Sequence, residues 1–129
     1  MLGTADISTL GEGANIGTVT GAISKLNSEL LKIHVNSIAK LVNATGVVEN
    51  TYNGVFAQIV IEICPTEVSN NTVLIEGLIA PKRMLYFILP NIEGENIPVV
   101  FDEYGKISIY YTYSTSNSRI DYTFMYLIG

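Results

Sequence analysis

The side chains that could do chemistry in this sequence are eight tyrosines, one histidine, one cysteine and a few carboxylates. Tyrosine joins an apolar ring to a hydroxyl tip, which suits it both to hold a sugar and to pack at an interface. It is also a favoured strand residue. Tyr104, Tyr110, Tyr111, Tyr113, Tyr122 and Tyr126 crowd the last quarter of the chain. Those beside turns, Tyr52, Tyr104 and Tyr113, are the candidates for exposure and saccharide contact, with Asp102 as a carboxylate beside Tyr104.

The remaining groups read as structural. His34 would have to be the base of any nucleophilic triad or dyad. It falls at the end of a helical pattern, where the helix dipole accounts for it, and in a heptad register it could pair with Glu29 of another chain. Asp102 and Glu103 could join Asp121 or Glu76 as paired acids for glycoside hydrolysis. Their place in a hairpin turn has a backbone explanation instead, and Glu93 and Glu95 read the same way. No acid follows a metal-loop spacing. The glycines of GEGANIG do not stand between a strand and a helix, as a phosphate loop requires. Cys64 lies in the apolar run IVIEIC and is expected as a buried, inert thiol; alone, it can form no intrachain disulfide. The expectation is a chain with no enzymatic activity, no metal and no cofactor.

Two patterns must position the tyrosines. In residues 18–33, TVTGAISKLNSELLKI, the apolar residues Val19, Ile23, Leu26, Leu30 and Ile33 are spaced four, three, four, three. That is the a/d seam of a heptad repeat, with Thr18 as cap and Lys32 near the negative helix end. A helix this short is marginal alone in water and needs its seam covered, by the rest of the chain or by copies of itself. With Val19 at d, the a and d residues lean partly to dimers and partly to higher oligomers, so the seam leaves the number of chains open. Residues 34–45 fit a helix through Val35, Ile38 and Leu41, or a strand beginning near Ile38.

From Gly46 the period changes to two. A turn at residues 52–54 precedes VFAQIVIEI, in which Val55, Ala57, Ile59, Ile61 and Ile63 share one face. Turns at residues 69–72, 90–94, 102–105 and 114–118 separate further runs, VLIEGLI, MLYFIL, NIPVVF, KISIYYTY and RIDYTFMYLI. In the last, Ile120, Tyr122, Phe124, Tyr126 and Ile128 share a face, while Met125 and Leu127 make the other face apolar too, as at a subunit interface or in a closed core. Six or seven short strands with turns every 8 to 12 residues predict an antiparallel β-sandwich or barrel. The domain reading is a loose lead-in over residues 1–17, a helical neck and shoulder over 18–43, and a β-rich head over 44–129.

Bulk properties narrow the function. Hydrophobic residues make up 48% and charged residues 15% of the 129, a low charge that suits a chain hiding surface in an oligomer. Twelve acids stand against seven scattered bases, a net charge of −5, which argues against nucleic acid and against an anionic membrane surface. No apolar run is long enough to span a membrane, so none is expected to insert. The start, MLGTADIST, has no signal-peptide pattern and looks like a cut edge of a longer protein as much as a natural start.

GTADISTLGEG followed by VTGAISKLNSEL, within residues 3–30, resembles the segment found in tail-fibre, baseplate and minor structural proteins of tailed phages and prophages. Further on, the break at residues 77–81, the turn at residues 102–105 before KISIYY, and the tyrosine-rich last run resemble the heads of those proteins. Related heads often carry a Trp before the proline break; this chain has none and reads Ile79, Ala80, Pro81, Lys82 there. The resemblance implies a homotrimeric β-head on a short parallel helix bundle. It further implies a place at the tail tip of a virion, contacts with other tail or baseplate proteins, and binding to a host cell-wall polysaccharide. A purely structural adaptor that binds no sugar is the alternative.

Overall fold

The structure, a computed structural model, describes Ile23, residues 30–111 and residues 117–129. The chain divides into two units, Met1–Lys32 and Ile33–Gly129. In the first, Ile23, Leu30 and Leu31 have helical backbone. Val19 and Leu26 of the expected seam lie outside the described residues. Lys32 and Ile33 have left the helix, because the chain extends to begin a strand at His34.

The second unit is mainly β, as its alternation predicts. Its strands are β1 (His34–Val35), β2 (Lys40–Leu41), β3 (Ala44–Tyr52), β4 (Phe56–Pro65), β5 (Val73–Glu76), β6 (Leu85–Pro90), β7 (Asn96–Phe101), β8 (Ile107–Ile109) and β9 (Ile120–Leu127). They form a four-stranded sheet in the order β1-β3-β4-β9 and a five-stranded sheet in the order β2-β5-β8-β7-β6. Every pairing is antiparallel. The segment that fitted either a helix or a strand holds the two short strands β1 and β2.

Period-two patterning builds the core. On β4, Ala57, Ile59, Ile61 and Ile63 are buried, with Ile120 and Tyr126 of β9 beside them. From the five-stranded sheet come Leu89, Ile97, Val99, Phe101, Ile107 and Ile109. All belong to one hydrophobic cluster. Rings cross between the sheets: Phe87 lies 4.7 Å from Phe124, and Phe101 lies 4.9 Å from Tyr126, edge to face. Burying each such side chain stabilises the fold by about 1.5–3 kcal/mol, so this alternation is its main support.

Three local expectations are corrected. His34 is not at a helix end; it sits in β1, its ring 5.3 Å from that of Tyr52. Cys64 is half-exposed rather than buried, because the even-numbered residues of β4 point away from the core. β8 stops at Ile109, short of the run KISIYYTY, and the amides of Tyr110 and Tyr111 both turn to the Pro98 carbonyl.

Candidate functional site

The outer face of the five-stranded sheet carries an exposed aromatic platform. Along β6, Leu85, Phe87 and Leu89 point inward, which sends Tyr86 and Ile88 outward. The register sets Tyr86 opposite Val100 and Ile88 opposite Pro98 on β7. Tyr110 joins them by donating its amide hydrogen to the Pro98 carbonyl at 2.8 Å. Tyr86 and Tyr110 are 63% and 57% exposed, and their rings meet edge to face with centroids 5.4 Å apart. Each ring braces the other, on a pedestal of Pro98, Val100 and Ile88. Flat apolar rings with hydroxyl tips can stack on the apolar face of a sugar and hydrogen-bond its rim.

The candidates singled out from sequence are not gathered there. Tyr52 is half-buried on the core side of β3, where it packs on His34. Asp102 is engaged by its own turn: Oδ1 accepts the amides of Tyr104 at 2.9 Å and Lys106 at 3.0 Å. Tyr104, at the tip of that turn, is 75% exposed. Tyr113 lies outside the described residues. Tyr86 and Tyr110 were the missed pair. The signal for Tyr86 was in the run MLYFIL, where both parities are apolar, so one apolar set had to face outward; nothing local pointed from it to Tyr110.

A buried polar cluster fixes the end of the unit where β1 begins. Asn50, on the core side of β3, accepts hydrogen bonds from Asn36 Nδ2 at 2.8 Å and the Ile79 amide at 2.9 Å. It donates to the Gln58 carbonyl at 3.0 Å and to the Tyr126 hydroxyl at 3.2 Å. That hydroxyl in turn donates to the Ile79 carbonyl at 2.6 Å. Burial pushes the Tyr126 phenol up to about 12, against a smaller opposing effect of Asn50. Every group in the cluster is spoken for, so it reads as a structural clasp rather than a reactive site. Gly77 and Gly105 let the strands' ends close on it. Both have positive φ, and a Cβ at either would strike the carbonyl of Ile38 or of Leu78.

Beside this end, residues 81–85 and the last residues of β9 border an open cleft of about 420 Å³, lined by Leu85, Met125, Tyr126 and Leu127 together with Lys82 and Arg83. Among the described residues no group of three or more His, Cys, Asp or Glu could hold a metal ion. Glu62 and Asp121, opposite each other on β4 and β9, are bridged by Arg119 at 3.8 and 2.8 Å. No helix among the described residues is long and apolar enough to cross a membrane. Compared with protein families, curated proteins and solved structures, the chain matches none.

Proposed function

We propose that this chain is a non-enzymatic receptor-binding head of a phage or prophage tail fibre, an antiparallel β-sandwich that recognises a host cell-surface saccharide as a homotrimer. The observation that carries the ligand half is the Tyr86–Tyr110 platform, an exposed pair of rings with hydroxyl tips held on a rigid sheet face. The assembly half is supported by the heptad spacing of Val19, Ile23, Leu26, Leu30 and Ile33, one residue before β1 begins, and by the resemblance of residues 3–30 to phage tail proteins. Three weak sites on one rigid assembly gain avidity for a repeating polymer without any new contact. The platform is preferred to Tyr52 and Asp102, which serve packing and their own turn, while Tyr104 stays exposed as a further contact.

The test is retention of cell-wall polysaccharides by the full chain, repeated with Tyr86→Ala and Tyr110→Ala together. Binding that is lost in the double variant at unchanged mass supports the reading. Binding undiminished in the variant, or cleavage of the glycan, contradicts it. A structural adaptor is the second reading. It draws on the same face, because a flat apolar sheet surface also suits a protein partner; binding to a tail component and to no glycan would favour it.

A further inference from the structure

We propose that copies of this chain pack against one another through the outer face of the four-stranded sheet, at the end where β1 begins. This rests on the reading that the heptad stretch assembles copies, and it names the surface that continues that assembly into the β unit.

The register writes the face out in rows. Val35, Thr51, Gln58 and Met125 lie side by side across β1, β3, β4 and β9. Phe56 and Leu127 pair in the adjoining row towards the β1 end. Val35, Met125 and Leu127 are 76%, 58% and 59% exposed. In the opposite direction the face turns charged, ending in the row of Val47, Glu62 and Asp121 with Arg119 bridging the two acids. Val35, Met125 and Leu127 therefore cluster at the end of the face where β1 begins, while at the other end the exposed Val47 stands among charges.

Chain connectivity argues that the occupant is a second copy. Packed helices hold their axes about 8–10 Å apart. Leu30, the last seam residue with helical backbone, is five residues from Val35, a reach of at most about 18 Å. Wherever the seams of several chains meet, their β1 strands start close together, with Val35 exposed on each. The chemistry agrees. Val35, Met125 and Leu127 carry no hydrogen-bonding hydroxyl or amide in their side chains, and Thr51 and Gln58 stand between Val35 and Met125 as the polar members of the row. At Leu127 and Ile128 the β9 edge is closed by residues 81–82, so it is the face and not the edge that is left for a neighbour. The two edges of the face also differ in charge. Lys82 and Arg83 follow the β9 edge, where the Lys82 amide donates to the Leu127 carbonyl at 2.8 Å. Glu49 is exposed on β3. None of these three has an ion-pair partner among the described residues. Unlike edges suit a head-to-tail contact repeated around an axis, which closes into a ring.

The experiment is cysteine cross-linking in the full chain with Cys64→Ser, light scattering being recorded on the same samples. Val35→Cys and Met125→Cys are placed together. Within one chain they are three strand spacings apart, roughly 14 Å, beyond a short bismaleimide. Tyr86→Cys, on the other sheet, is the control. The expected result is an oligomer in which the Val35/Met125 pair closes into a covalent species of the full assembly mass while Tyr86→Cys stays monomeric on a denaturing gel. An oligomer that cross-links through Tyr86→Cys, or not at all through the Val35/Met125 pair, overturns the proposed surface and leaves the heptad reading standing. A monomer by light scattering overturns the heptad reading and this surface with it.

Discussion

The outer faces of the two sheets have the same strand geometry and cover the same core, yet they offer different chemistry. On the five-stranded sheet the exposed residues are Tyr86, Ile88 and Tyr110, rings with polar tips on a pedestal of Pro98 and Val100. On the four-stranded sheet the end where β1 begins exposes Val35, Met125 and Leu127, aliphatic or thioether side chains, with Thr51 and Gln58 between Val35 and Met125. A hydroxyl-tipped ring can stay hydrated beside a sugar, whereas a bare aliphatic row gains only by leaving water altogether. The first face suits a wet ligand and the second a dry protein surface. Period-two alternation turns both sets away from the shared core, and the core between the two sheets keeps them apart.

Four perturbations separate the faces or show that they cannot be separated. The largest effect is expected from Asn50→Ala, which removes the hub behind the four-stranded sheet and strands the Ile79 amide. It should lower unfolding free energy by about 2–4 kcal/mol in denaturant titrations and weaken assembly and glycan binding together. Met125→Asp with Leu127→Asp should leave the circular dichroism intact and raise the dissociation constant of the assembly by roughly a hundredfold in sedimentation, because each buried side chain contributes about 1.5–3 kcal/mol. The third effect is alkaline. Folded Tyr126 holds its proton to about 12, while an unfolded tyrosine loses it near 10. The folded state thus binds more protons in that window, and stability should fall as pH rises from about 10 to about 12. Unfolding curves of Tyr126→Phe should lack that slope. The smallest effect is Tyr86→Ala with Tyr110→Ala, about tenfold or more in saccharide affinity by calorimetry with no change in mass, since an aromatic contact is worth about 0.5–1.5 kcal/mol.

Much of the β unit was legible because burial writes itself into alternation. The inward residues of β4 and β9 follow directly from VFAQIVIEI and RIDYTFMYLI. Turn chemistry was legible too: Asn53 Oδ1 accepts the amides of Val55 and Phe56, and Asp102 does the same work in its own turn. Other features depend on contacts distant in sequence. Whether residues 34–43 make helix or strand was decided by partners such as Asn50 and Glu76, which no local pattern reveals. The choice of Tyr52, Tyr104 and Asp102 followed turn proximity; Tyr104 is exposed as that implies, but Tyr52 packs on His34 and Asp102 is used by its own turn. Tyr86 and Tyr110 meet only because β6 and β8 flank β7, a pairing that the sequence does not announce.

Light scattering of the full chain, alone and with Ile23→Asp and Leu30→Asp together, tests the division between an assembly face and a ligand face most directly. The account predicts a wild-type mass of three chains that falls to one in the double variant. A wild-type mass of one chain, unchanged in the variant, would contradict it: the heptad residues would then be covered within their own chain, and the aliphatic face would have lost the partner assigned to it.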